Sequence, residues 1–334
     1  MNATARVGDT TRVSPLEAVV GWGRRNAWTL GLLAFLIVLL LFTRMIQPRY
    51  GVAGIQGLAI SVLPLALAAV AQAVVVIAGG IDLSIGSMMA LTSVVAATLM
   101  DGQSSEFAIL VVVGVLLLGL LLGAVNGALV VATRVPDIVV TLAMLFVWAG
   151  FALLVRSAPG GDAAPWLREM VGGSLFIDWL PRAAVVLVVV VALVWVPVSR
   201  SRPGISLYAV GSNPLAAFRS GISIGRTKIF AYMLAGLFSA LGGLSLTAST
   251  GIGTPVPGPY TLMSVAAIVL GGVSLAGGRG GVFGPIVGVV VLQLLRTDMT
   301  FLRMNTNLAV VTQGVILIGV VMVGSLIELR RARG

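Results

Sequence analysis

Apolar runs of about 17–25 residues, each closed by a short polar or glycine-rich break, repeat along almost the whole of this chain. That is the length at which a helix crosses a hydrocarbon core about 30 Å thick. The runs predict about ten transmembrane helices: Trp28 to Ile46, Val52 to Ala78, Ile85 to Met100, Phe107 to Val131, Ile138 to Val155, Ala183 to Val198, Ile229 to Thr250, Leu262 to Ala276, Val282 to Leu295 and Leu308 to Ile327. The expected fold class is therefore an all-α polytopic membrane protein, and an even number of spans puts both termini on one side. The layout is an N-terminal segment 1–27, a membrane domain 28–327 and a tail 328–334. The first run is followed by Arg44 and Arg49 without a small-residue cleavage pattern, so it reads as a span and not as a removed signal.

Two connections are long. Residues 156–182 contain SAPGGDAAPWLREMVGG, which predicts a turn, a short interfacial helix around Trp166 to Met170 and a second turn. Residues 199–228 contain Ser212-Asn213-Pro214, a helix start with proline near the first helical position, and Gly221, a natural stop. A short helix from Pro214 to Ser220, outside the membrane, is expected there.

Composition excludes an ordinary soluble domain. Mean hydropathy is +1.10 and only 10% of residues are charged, against about 25% in soluble proteins. The net charge of +10 reports orientation: with the termini cytoplasmic, fourteen of the basic residues fall in inner segments and seven in outer ones. No basic patch is interleaved with aromatics as base stacking requires, so no nucleic-acid partner is expected. There is no cysteine and no histidine, and no paired carboxylates, which leaves zinc hydrolysis and acid–base catalysis without a constellation.

The most informative polar feature is GGIDLSIGS, Gly79 to Ser87, which sets Asp82 among apolar spans. Intramembrane carboxylates face the bundle interior or an aqueous path. Gly79, Gly80 and Gly86 permit a helix break, tolerable only where protein or water satisfies the freed backbone. Asp82 has two compatible readings: a cap on the helix starting near Leu83, or a solute contact. Gln72, Asn126, Thr141, Gln293 and Gln313 either line a polar pathway or bond between helices. Gly119, Gly123 and Gly127 share one helix face and predict close packing. GGRGGVFG, Gly277 to Gly284, lacks the Lys-Ser/Thr of a nucleotide-binding loop and reads as a tight inner turn. VVVIAGGIDLSIGS also echoes AAIVLGGVSLAGGR, and duplicated glycine-interrupted segments point to a central transport site.

Taken together, GGIDLSIGSMMALTSVVAA, LGAVNGALV, LYAVGSNPLAAFRSGI and VLGGVSLAGGRGGVFGPIVG resemble the permease subunits of ribose- and xylose-type ABC importers, in the family's order and over nearly the whole of Gly51 to Val323. The resemblance implies a ten-helix fold of the cobalamin-importer permease type in the bacterial inner membrane. It implies a second permease chain, a cytoplasmic ABC ATPase dimer that carries ATP and magnesium, and a periplasmic or lipid-anchored solute-binding protein. This chain is then a transport subunit, not an enzyme, with lipid around it and no cofactor of its own. Its translocation path would draw on Gln72, Gly79, Gly80, Asp82, Ser84, Asn126 and Thr141. The family's ATPase-docking pattern falls on Gly211, Asn213, Ala216, Ala217, Ser220, Gly221 and Ile222. The chain departs from the usual pattern after the fourth span, where Ala143 stands at a glycine position, and in its Pro/Gly-rich outer loop. The implied cargo is a monosaccharide or similar polyol; a branched-chain amino acid permease of related fold, a proton-driven secondary transporter using Asp82, and a passive channel are the alternatives.

Overall fold

The computed structural model describes residues 27–256 and 258–305, with scattered positions between 307 and 322. Twelve helices and one small ribbon make up the named elements of these residues. In chain order they are α1 (Ala27–Ile46), α2 (Val52–Ile77), α3 (Ile85–Met100), α4 (Ser105–Thr133), α5 (Asp137–Val155), α6 (Pro165–Val171), β1 (Ser174–Leu175), β2 (Ile177–Pro181), α7 (Arg182–Arg200), α8 (Arg202–Ser212), α9 (Pro214–Arg219), α10 (Ile224–Thr250), α11 (Tyr260–Leu270) and α12 (Phe283–Phe301). Seven of them, α1, α2, α4, α5, α7, α10 and α12, are long and apolar enough to cross a membrane. The expected run from Leu308 to Ile327 lies largely outside the described residues.

Helix α2 is the axis of the bundle, with every residue from Val62 to Ile77 buried. The peripheral helices instead turn Leu110, Leu117, Phe146, Leu154 and Leu193 outward, a surface that only lipid solvates well. Close approach at the centre depends on the glycine stripe of α4. A methyl group on Gly119 would meet Ala240 Cβ at 2.5 Å, and one on Gly127 would meet Ile229 Cα at 2.8 Å, so α4 and α10 touch backbone to backbone.

One expected span is corrected. The run from Leu262 to Ala276 is not a membrane-crossing helix: α11 stops at Leu270 after 11 residues, about 16 Å at 1.5 Å per residue. Gly272 takes φ +77° and closes the helix with two C-terminal bonds, Gly272 N–H to Val269 O (3.0 Å) and Val273 N–H to Ile268 O (2.9 Å). Helix α11 also begins inside the bundle, since the Gly86 N–H donates to Thr261 Oγ1 (3.0 Å) beside the first turn of α3.

The echo between the two glycine pairs has a structural counterpart, displaced by one residue from the sequence match. Helix α2 ends the same way at Gly79 (φ +80°), with Gly79 N–H to Val76 O (2.9 Å) and Gly80 N–H to Val75 O (3.0 Å). Gly79 thus corresponds to Gly272, not to Gly271.

Both breaks lie at one end of the bundle. The Gly278 N–H donates to the Ile77 carbonyl (2.9 Å), and Trp28 Nε1, at the start of α1, donates to the Leu270 carbonyl (3.0 Å). At the opposite end, Gly160 and Gly253 exchange backbone bonds (3.0 and 2.8 Å), and the Asp162 N–H reaches the Ala97 carbonyl (3.1 Å). The long connection 156–182 contains α6 where a helix was expected. It then forms the β1–β2 ribbon, which the sequence reading did not anticipate.

Candidate functional site

The break from Gly79 to Ser84 gathers most of the polar groups singled out in the sequence. Asp82 is fully buried. Its Oδ1 accepts from the Ser84 N–H (2.8 Å) and the Ser84 hydroxyl (2.7 Å). The carboxylate therefore holds a backbone donor one residue before α3, for which Ser84 is the N-cap residue. Asn126 Nδ2 donates to Ser84 Oγ (2.7 Å), and Asn126 Oδ1 accepts from Trp148 Nε1 (3.1 Å). A continuous chain of bonds thus runs from the break through α4 to α5. Asp82 Oδ2 has no protein partner.

Thr141 pins the break from its other side. Its hydroxyl accepts from the Leu83 N–H (3.1 Å) and lies within donating distance of the Asp137 carbonyl (2.9 Å) and the Ile81 carbonyl (3.1 Å). Gly80 has no room for a side chain, because a methyl group would meet Asp137 Oδ2 at 2.5 Å and Tyr232 Oη at 3.0 Å. Gln72 stands apart from this cluster, fully buried on α2 with neither amide atom partnered.

Three residues that the sequence reading did not select complete the cluster. Lys228 Nζ pairs with both carboxylate oxygens of Asp137 (2.9 and 3.0 Å), and the Tyr232 hydroxyl donates to Asp137 Oδ2 (3.1 Å). One signal was available: Lys228 is the chain's single lysine among 21 basic residues.

The second group of expected residues lies in the connection 199–228, at the end where the α2 break meets Gly278. Asn213 caps α9, its Oδ1 accepting from the Ala216 N–H (3.0 Å), and Pro214 opens the helix. Gly221, at φ +81°, closes it with Gly221 N–H to Phe218 O (2.9 Å) and Ile222 N–H to Ala217 O (3.0 Å). The helix ends at Arg219, one residue before the expected Ser220, whose hydroxyl bonds back to the Ala216 carbonyl (3.0 Å). Ala217 faces inward, whereas Leu215 and Phe218 are exposed.

Helix α8, unforeseen in the sequence, joins this element to the bundle. A methyl group on Gly211 would overlap the Ile77 carbonyl and meet the Gly278 nitrogen at 2.6 Å. Tyr208 Oη donates to the Gly280 carbonyl (3.2 Å), and burial holds this phenol above its usual pKa, so it remains a donor. The arrangement forms a rigid strut: a short capped helix with exposed apolar side chains, fixed to the end of the central helix.

Residues 54–321 match the family described as branched-chain amino acid transport system / permease component. The chain is similar to the ribose import permease protein RbsC of Escherichia coli (strain K12), 31% identical over 77% of this chain and 81% of that protein. It is similar to the galactose/methyl galactoside import permease protein MglC of Haemophilus influenzae, 30% identical over 74% and 79%. It is also similar to the autoinducer 2 import system permease protein LsrD of Escherichia coli O9:H4, 28% identical over 92% and 94%. No solved structure matches it. With the match covering most of its length and its apolar helices, this chain belongs to the branched-chain amino acid transport system / permease component family of multi-pass membrane proteins.

Proposed function

We propose that this chain is the membrane-spanning subunit of an ATP-driven ABC importer that moves a monosaccharide or similar small polyol by alternating access. The observation that carries the reading is the capped helix α9, which follows directly on α8, whose Gly211 packs on the end of α2, in a chain whose relatives include import permeases for ribose and for galactose. An ATPase that closes on nucleotide moves a rigid element more effectively than a flexible loop. The apolar side chains of Leu215 and Phe218 give such a partner a surface to grip. The amino acid reading rests on the family's description and is less favoured, because these relatives are named for sugars and for autoinducer 2.

In this reading the fold is of the cobalamin-importer permease type, its ten apolar segments including α11 as a half-helix that enters the bundle without crossing it, with segments 1–27 and 328–334 and the loop 199–228 cytoplasmic, in a bacterial inner membrane. Two permease chains sit on two ATPase subunits, which hold ATP and magnesium, and a solute-binding protein delivers cargo at the face carrying 156–182. Gly79, Gly80, Asp82, Ser84, Asn126 and Thr141 form the closed inner end of the path, with Gln72 above them. Their tight bonding suits a closed gate, since an open path would leave these groups in water. Gly211, Asn213, Ala216, Ala217, Ser220, Gly221 and Ile222 form the ATPase-coupling element.

The test is gentle affinity purification of tagged full-length chain from its native membrane, followed by mass spectrometry. Recovery of an ABC ATPase, with or without a solute-binding protein, is expected. A chain recovered alone even after crosslinking would overturn the importer reading and favour an autonomous transporter.

A further inference from the structure

The ribbon β1–β2 carries apolar side chains that its own chain does not cover. Phe176, between the two strands, is 95% exposed, and Ile177 and Trp179, which share one face of β2, are exposed at 62% and 57%. Phe176 also takes φ +59°, a left-handed conformation that a bulky residue rarely adopts. The chain thus holds an aromatic ring outward at a cost to its backbone. A patch of this kind needs a cover, and its position decides which. Helix α7 runs for 19 residues between Arg182 and Arg200, about 28 Å at 1.5 Å per residue, close to the ~30 Å of a hydrocarbon core. Arg182 therefore marks one edge of the hydrocarbon. The ribbon, which ends at Pro181, lies at the level of the headgroups, where aromatic side chains concentrate.

Beside the ribbon a cavity of about 340 Å³ opens between α6, β1 and α7, within the ~300–1,000 Å³ of ordinary ligand sites. Its wall joins a fixed charge to an apolar track. Arg182 Nε donates to the Ser174 carbonyl (2.9 Å) and Nη1 to the Glu169 carbonyl (2.9 Å), which locks the guanidinium in place and leaves Nη2 over. Among the described residues no carboxylate pairs with Arg182, and no cation pairs with the Glu169 carboxylate on the same wall. Trp166 is held by its Nε1, which donates to the Ser105 carbonyl (3.3 Å). Below Arg182, the residues Val186, Val189, Leu193 and Val196 follow at alternating spacings of four and three, one face of the helix. Val189, Leu193 and Val196 are exposed at 46%, 71% and 39%. From Val186 to Val196 is about 15 Å, the depth of one leaflet at half of ~30 Å.

We propose that this cavity binds one phospholipid of the leaflet at this end of the bundle, its phosphate on Arg182, a primary ammonium headgroup on Glu169 and an acyl chain along Val186 to Val196. Phe176 and Trp179 seat the ribbon among the neighbouring headgroups. The guanidinium fork fits phosphate oxygens, and a primary ammonium donates charge-assisted bonds to a carboxylate, which a quaternary one cannot. Continuity with the lipid face of α7 selects lipid as the occupant, since a free phosphate would leave the apolar stripe unused. The inference stands on the membrane-spanning character of α7 and goes beyond the importer reading.

The natural absence of cysteine makes single cysteines clean reporters. The full-length chain is labelled with bimane at Met170→Cys, on the cavity wall, or at Leu193→Cys, on the bulk lipid face of α7. It is placed in phosphatidylcholine nanodiscs holding the same mole fraction of phosphatidylethanolamine or phosphatidylglycerol with a nitroxide on the acyl chain. The ethanolamine lipid should quench Met170→Cys about two- to fivefold more strongly than the glycerol lipid, as a partly exposed ion pair supplies, and both should quench Leu193→Cys equally. Glu169→Gln, at a side chain that is exposed and pairs with no cation among the described residues, should erase the preference without disturbing the fold, and Arg182→Gln should weaken quenching by both lipids. Bimane at Phe176→Cys should be quenched by a headgroup nitroxide and shielded from aqueous iodide. Equal quenching of Met170→Cys by the two lipids, a preference that survives Glu169→Gln, or free iodide access at Phe176→Cys would each overturn the proposal. Iodide protection that appears only when a solute-binding protein is added would give the ribbon to that partner and overturn its lipid contact.

Discussion

Gly211 packs its backbone directly on the carbonyl of Ile77, and the Gly278 N–H, close beside Gly211, donates to that same carbonyl. Three segments far apart in sequence therefore share one oxygen atom: the end of the central helix, the strut that carries α9, and the loop after α11. In the importer reading, a push on α9 would meet the end of α2 at this contact.

Replacing Gly211 by alanine tests the contact. The added methyl group overlaps the Ile77 carbonyl and must separate α8 from α2, an overpacking cost of about 1–3 kcal/mol. The expected outcome is a chain that still co-purifies with its ATPase yet transports several-fold more slowly, because coupling has loosened while docking persists. Unchanged uptake by Gly211→Ala, measured per assembled complex, would show that force takes another route.

The Lys228–Asp137 pair offers a double-mutant cycle. Both side chains are largely buried, at 24% and 14% exposure, so removing one partner strands the other's charge. Lys228→Met and Asp137→Asn should each cost about 1.5–3 kcal/mol, and the two combined should cost less than the sum of the singles, the pattern of a pair whose desolvation nearly balances its attraction. Thermal unfolding in detergent reads all three, and strictly additive losses would argue against a coupled pair.

Asp82 separates a structural from a transport role. Asp82→Asn keeps size while weakening the charge-assisted bonds to Ser84, so assembly should survive and transport should fall. Full transport by Asp82→Ala, in a correctly assembled complex, would remove Asp82 from the path.

How far the sequence carried the reading depends on which signals are one-dimensional. The seven long helices were visible because run length alone decides whether an apolar segment reaches across lipid. Helix α9 was visible because Asn213-Pro214 and Gly221 act within a single turn. The half-helix α11 was hidden because apolar residues continue past Leu270, and only the backbone of Gly272 reveals the stop. Asp137 and Lys228 stand 91 residues apart, a separation at which composition carries no trace of pairing. The Gly211 contact was equally invisible: the glycine sits in a motif suggestive of docking, while the reason for having no side chain lies in Ile77 and Gly278.

The docking surface itself gives the last prediction, and burial decides which substitutions are informative. Changing Ala216 and Ala217 together to glutamate should abolish ATPase association, but Ala217 is buried against its own chain, so that variant can fail by unseating α9. Leu215→Asp and Phe218→Asp avoid the ambiguity, since both side chains are exposed at 59% and 65% and the cap bonds at Asn213 and Gly221 are untouched. Each should leave thermal stability within about 0.5 kcal/mol, as exposed substitutions do, and should lower co-purified ATPase at least several-fold, the size expected for burying a charge in an apolar contact. Undiminished ATPase recovery with both variants would mean that the partner grips a different surface of the connection 199–228.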